Sequence, residues 1–99
     1  IYLLEDAGRA AASCYLNVIP NLTRSARPYA VIENVITEAA LRGQGVGRRL
    51  MSEVLAVAWK RGCYKAMLQT GSSQASTHAF YRACGFSGSD KTGYVARPG

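Results

Sequence analysis

The 99-residue chain has no apolar run approaching the ~20 residues that a membrane-spanning helix requires, and it shows no signal-peptide pattern. A cytoplasmic protein is expected. Its cysteines, Cys14, Cys63 and Cys84, are odd in number, lack Cys-x-x-Cys spacing and sit within apolar patterns. Buried free thiols are therefore expected, and neither a disulfide nor a zinc site. There is one histidine, His78, and no metal site can be read. No internal repeat appears, and the short connector Gly71-Ser72-Ser73-Gln74-Ala75-Ser76 is the one low-complexity stretch. Acidic residues are also few: 6 Asp and Glu against 12 Lys and Arg leave a formal net charge of +6.

With 48% apolar residues, 99 residues suffice for one domain with a modest core and leave no room for two. The run Ile1 to Asp6 (IYLLED) is strand-like, Arg9 to Ile19 reads as the next strand, and Asn21 to Pro28 reads as a polar loop. Tyr29 to Thr37 (YAVIENVIT) follows as a buried strand broken by Glu33 and Asn34. The spacing then changes to that of a helix. Val46, Leu50, Val54 and Ala58 recur every fourth residue, Met51 and Leu55 widen the stripe, and Arg48, Arg49, Ser52, Glu53 and Lys60 face out. Gly62 is a natural stop, and Cys63 to Thr70 (CYKAMLQT) resumes strand character. A strand, a turn, a helix and a strand favour a right-handed crossover joining a parallel pair.

Between strand and helix stands Arg42-Gly43-Gln44-Gly45-Val46-Gly47. The first N–H groups of a helix have no internal partner and the helix dipole adds positive charge, so a pyrophosphate can be cradled there. Gly43, Gly45 and Gly47 can take positive φ and admit a phosphate oxygen close to the backbone, with Arg42 and Arg48 as flanking charge. A ligand-free glycine turn is the plain alternative. A nucleoside-triphosphate P-loop fails, because Arg48 and Arg49 follow Gly47 where Lys and Ser or Thr are needed. A dinucleotide fingerprint fails as well, because Arg48 occupies the position of its third glycine. The charge distribution points the same way. A nucleic-acid surface gathers many cations on one face, whereas here Arg42, Arg48 and Arg49 crowd the turn and Arg9, Arg24, Arg27, Lys91 and Arg97 are scattered.

These residues resemble the Gcn5-related N-acetyltransferases (GNAT). The signature of that family is Arg or Gln, two residues, Gly, one residue, then Gly or Ala, and Arg42, Gly45 and Gly47 fit it. Phe80-Tyr81-Arg82-Ala83-Cys84-Gly85-Phe86 looks like the family's late helix, which carries a Tyr and ends in Gly-Phe. The likeness runs from about Tyr29 to the C-terminus and is compatible before that. Ile32-Glu33-Asn34-Val35 with Gly62-Cys63-Tyr64-Lys65 looks most like glucosamine-phosphate N-acetyltransferases and similar small bacterial enzymes.

The resemblance implies an α+β fold: a twisted mixed sheet, mostly antiparallel with a central parallel pair, flanked by helices. It also implies an N-terminally truncated acyltransferase-like domain over residues 1–99, since the family's first strand and helices have no counterpart after Ile1. The chain would be a fragment, or part of it is not represented, or a partner subunit supplies the cover. Dimerisation would protect the sheet edge so exposed.

The implied reaction is transfer of acetyl from acetyl-CoA, without a metal, to a primary amine of a small molecule by direct attack. Val35, Ile36 and Thr37 would hydrogen-bond the pantetheine arm, and a main-chain N–H near Val35 would polarise the thioester carbonyl. Arg42, Gly43, Gln44, Gly45, Val46, Gly47 and Arg48 would hold the pyrophosphate. Tyr81 would donate to the departing thiolate, a phenol being protonated at neutral pH; without the resemblance it reads as an aromatic packed beside Phe80. Gln74 stands in for the Asn that the family often uses on pantetheine. Glu33, expected to be partly buried, is the candidate base, with a structural salt bridge as its other reading. His78 shares roughly the face of Tyr81 and reads more readily as a solvent-facing side chain or a helix-start contact. A non-catalytic CoA-binding or regulatory module is the alternative function, and a basic nucleic-acid-binding domain a weaker one.

Overall fold

The computed structural model describes residues 2–6, 9–21, 27–37 and 45–99, with side chains from 12 onward except that of Thr37. By contact density the chain divides into two units, Ile1–Leu68 and Gln69–Gly99.

The first unit is a sheet with a helix packed on it. β1 (Tyr2–Asp6), β2 (Arg9–Ile19), β3 (Tyr29–Thr37) and β4 (Ala66–Leu68) lie side by side in sequence order, and α1 (Val46–Lys60) crosses from β3 to β4. β1 and β2 pair antiparallel, as do β2 and β3, whereas β3 and β4 are parallel. That parallel pair with an intervening helix is the crossover expected from the glycine turn. Strand β4 is shorter than the expected span Cys63 to Thr70: only Ala66–Leu68 pairs with β3. Strand-forming side chains extend further, but the ladder ends at Ile32↔Leu68, just before the bulge in β3, which itself runs on to Thr37.

The period-2 pattern of β2 and β3 decides which face is buried. Ala12 and Cys14 on β2 and Ala30 and Ile32 on β3 are buried, and α1 covers them with Leu50, Met51, Val54 and Ala58. Removing the larger of these side chains from water stabilises the fold by roughly 1.5–3 kcal/mol each. Small residues set the approach: Ala30, Ala58 and Cys63 meet without exposure, with Leu16, Val18 and Ala66 packed around them. The helix stops as Gly62 predicts. Gly62 takes φ 83, its N–H bonds to Trp59 O at 3.0 Å, and Cys63 N–H reaches Ala58 O at 3.1 Å, a Schellman closure that also buries Cys63 against Ala58. Tyr64 N–H to Pro28 O (2.9 Å) and Ala30 N–H to Lys65 O (3.0 Å) then start the β3–β4 ladder. Lys65 Nζ lies over both adjoining rings, 5.5 Å from Tyr29 and 5.4 Å from Tyr64.

The second unit contains α2 (Ala75–Ala83), led by the 71–74 connector and followed by residues without helix or strand. Cys14 and Cys63 are buried free thiols as expected, whereas Cys84 is only half-buried because it caps the end of α2. No described helix is long and apolar enough to cross a membrane. Among the described residues no group of His, Cys, Asp and Glu could hold a metal ion.

Candidate active site

At the start of α1, Gly45 is the N-cap residue, with φ 77 and ψ 6. A residue with a Cβ would pay about 1–2 kcal/mol for that left-handed conformation. Among the described residues, a Cβ there would meet nothing within 4 Å. No side chain caps the helix and no acidic residue occupies its first turn. The first intrahelical bond runs from Arg49 N–H to Gly45 O at 3.0 Å, so the N–H groups of Val46, Gly47 and Arg48 have no partner within the helix. The Arg48 side chain is exposed at this end. Arg49 Nε lies 3.5 Å from Glu53 Oε1, an exposed pair one turn on. A donor set of backbone N–H groups and a guanidinium, free of carboxylates in its first turn, fits a diphosphate. Arg42, Gly43 and Gln44 lie outside the described residues.

The end of β3 is shaped by two irregularities. Its ladder with β4 stops at Ile32↔Leu68, so Glu33 to Thr37 continue without β4 beside them. Its ladder with β2 shifts between Tyr15↔Glu33 and Ser13↔Ile36, which leaves Asn34 and Val35 together opposite Cys14. This is a β-bulge, and Asn34 takes φ 55, a conformation that Asn tolerates better than most residues. A bulge redirects the peptide groups around it, here on a stretch of edge with no neighbouring strand among the described residues. Val35 is half-buried and Ile36 is 60% exposed, so an apolar side chain stands free beside those peptides.

Glu33 is exposed, contrary to the expected partial burial. It precedes the bulge on the face away from the buried Ala30 and Ile32. Its carboxylate accepts a hydrogen bond from Asn17 Nδ2 (3.1 Å), which also donates to Val31 O (3.3 Å). Among the described residues no cation pairs with it.

In the second unit, Tyr81 is half-buried on α2, its ring edge-on to Phe80 (5.1 Å between centroids) and to Phe86 (6.1 Å). Gln74 is the exposed N-cap residue of α2; its side chain makes no capping bond, while its N–H donates to Ser72 Oγ at 3.1 Å. Ser72 organises the connector, with its hydroxyl 3.1 Å from Thr77 Oγ1 and its carbonyl 2.9 Å from His78 Nε2. His78 therefore makes a helix-start contact, one of its two plain readings.

Sequence reasoning passed over Asn17 and Tyr15, which line an open hollow with Glu33 and Asn34. The alternation Ser13, Tyr15, Asn17 on β2 marks one polar face and was the signal available.

The chain is 31% identical over 86 residues to glucosamine 6-phosphate N-acetyltransferase of Trypanosoma brucei brucei, covering 87% of this chain and 56% of that protein. It is 33% identical over 88 residues to glucosamine 6-phosphate N-acetyltransferase 1 of Oryza sativa subsp. japonica, covering 87% of this chain and 52% of the relative. The chain thus spans a little over half the length of these curated relatives. A solved structure from Agrobacterium tumefaciens str. C58, provisionally named an acetyltransferase, superposes with a TM-score of 0.91 at 45% identity, over 97% of this chain and 66% of that one. The family model described as Acetyltransferase (GNAT) family matches residues 1–86, and the chain belongs to that family.

Proposed function

We propose that the protein is an N-acetyltransferase that moves the acetyl group of acetyl-CoA onto the primary amine of an amino sugar or its phosphate. The observation that carries this reading is the end of the β3–β4 ladder at Ile32↔Leu68 while β3 runs on to Thr37, with a bulge at Asn34 and Val35 on that continuation. An extended amide-bearing arm can pair with such an edge as a strand would. The N-terminus of α1, with Gly45 and Arg48, supports a diphosphate attached to that arm. By the resemblance, Arg42, Gly43 and Gln44, which lie outside the described residues, are assigned to the same diphosphate, and Val35, Ile36, Thr37 and Gln74 to the pantetheine. The curated relatives support the amino-sugar acceptor, being glucosamine 6-phosphate N-acetyltransferases.

Each residue then has a separate part. Glu33 accepts a proton from the incoming ammonium, leaving a neutral amine to attack the thioester carbonyl carbon. The main-chain N–H near Val35 stabilises the negative charge that builds on the carbonyl oxygen. Tyr81 gives its phenolic proton to the sulfur as the C–S bond breaks; the proton that the attacking nitrogen sheds as the amide forms passes to solvent, from which Tyr81 is reprotonated, and Glu33 releases the proton it took from the ammonium. No acyl-enzyme is needed, because proximity and a deprotonated amine suffice for direct attack.

Calorimetric titration with acetyl-CoA, together with release of free thiol in the presence of glucosamine 6-phosphate, glucosamine, spermidine or a lysine peptide, tests the reading. Wild type is expected to bind acetyl-CoA and to acetylate an amino sugar fastest. Gly45→Glu, folded by circular dichroism, is expected to lose binding. Tyr81→Phe is expected to keep binding while turnover falls by about 10²-fold. Binding without transfer to any amine would favour a CoA-binding module, and unchanged turnover in Tyr81→Phe would remove it as the acid.

A further inference from the structure

On the face of the sheet away from α1, Tyr15, Asn17, Glu33 and Asn34 line one open hollow of about 250 Å³. The strand register explains why they meet. Tyr15 and Glu33 are cross-strand partners, while Asn17 pairs with Val31 and reaches diagonally to Glu33. Asn17 Nδ2 donates to Glu33 Oε1 at 3.1 Å and to Val31 O at 3.3 Å, so a fixed backbone carbonyl and the carboxylate are bridged by one amide.

The chemistry of the lining is one-sided. It offers a carboxylate, the amide oxygens of two Asn side chains and the ring of Tyr15, which is 46% exposed. No Lys or Arg is among these residues. A carboxylate and an aromatic face both attract an ammonium, and amide oxygens accept from ammonium or hydroxyl hydrogens. Among the described residues this lining offers a phosphate no positive charge.

We propose that this hollow takes the ammonium end of the acceptor, a hydroxylated primary amine, and that Asn17 is the positioning residue that holds the Glu33 carboxylate for it. The inference rests on Glu33 being the proton acceptor proposed above. An exposed Glu samples several rotamers; tied to Asn17 it presents one, and the amine meets its base without that search. Any phosphate on the acceptor is held outside this hollow.

The test is a double-mutant cycle on Asn17→Leu and Glu33→Gln, read as kcat and KM for glucosamine 6-phosphate and glucosamine, with acetyl-CoA affinity and melting temperature as controls. Asn17→Leu is expected to lower kcat/KM for both amines about tenfold or more, since it removes a hydrogen bond to a charged group. Acetyl-CoA affinity should stay unchanged. On the Glu33→Gln background the same substitution should change kcat/KM less than twofold, and Asn17→Gln, which retains the donor, should recover part of the loss. Equal effects of Asn17→Leu on both backgrounds would overturn the positioning role while leaving Glu33 as base. Full activity in Glu33→Gln would overturn the base itself, and the inference with it. A readout independent of turnover is the side-chain amide proton resonance of Asn17 on titration with glucosamine. It is expected to shift with amine and to shift in Glu33→Gln without amine; no shift in either case would refute the site.

Discussion

Tyr81 and Phe86 are joined twice. The Phe86 N–H donates to Tyr81 O at 3.0 Å, and their rings meet edge-on with centroids 6.1 Å apart. Gly85, at φ 97, makes this closure sterically possible, and its own N–H bonds to Arg82 O at 3.0 Å. This is a Schellman ending with its apolar clasp, which gives the Gly-Phe after α2 a physical meaning: it fixes the turn that carries Tyr81. Gly85→Ala is therefore expected to cost about 1–2 kcal/mol through backbone conformation. Phe86→Ala is expected to cost about 1 kcal/mol through the lost ring pair, and Phe86→Tyr much less. Urea denaturation followed by far-UV circular dichroism measures all three.

The bulge in β3 makes a second expectation specific. Asn34 stands at φ 55 within a strand, where a β-branched residue is strained and glycine is not. Asn34→Val should destabilise the first unit by about 1–2 kcal/mol and weaken acetyl-CoA binding, because straightening the bulge turns the Val35 peptide. Asn34→Gly should preserve both. Paired thermal melts and calorimetric titrations decide the matter, and a fully stable, fully binding Asn34→Val would mean that the bulge is dispensable.

Stability at alkaline pH is expected to depend on Cys14. Its side chain is buried opposite the bulge, and burial pushes the thiol above its ordinary value of 9.0. The folded state keeps a proton that the unfolded state releases, so this stabilising contribution is complete below about pH 9 and declines as pH rises through the folded value. Melting temperatures measured between pH 8 and pH 10.5 should fall more steeply for wild type than for Cys14→Ala. Other groups titrate equally in both, so parallel curves would remove Cys14 from the account.

Much of the first unit was legible residue by residue. Arg9–Ile19 and Tyr29–Thr37 appear as strands with the expected bounds, and α1 buries Leu50, Met51, Val54 and Ala58 from the stripe that its spacing marks. Both patterns are local, because burial of one face writes its period into the chain. The end of β4 was not legible. Cys63 to Thr70 has the composition of a longer strand, yet pairing depends on β3, whose ladder with β4 ends at Ile32↔Leu68. The exposure of Glu33 escaped for a related reason: the strand pattern says that its side chain lies opposite Ile32, but not whether anything covers that face.

What the sequence determined by itself was the family, the glycine N-cap of α1 and the Gly-Phe clasp of α2, each encoded within a few consecutive residues whose conformation depends chiefly on their neighbours. Gly45, Gly62 and Gly85 all take the positive φ that glycine permits. The tertiary structure alone decided the hollow of Tyr15, Asn17, Glu33 and Asn34. Asn17 and Glu33 are 16 residues apart and meet through the β2–β3 register, and a slip of one residue would turn one of them to the opposite face. Register is set by the whole sheet and the helix packed on it, so a site that depends on it becomes visible only when the fold is assembled.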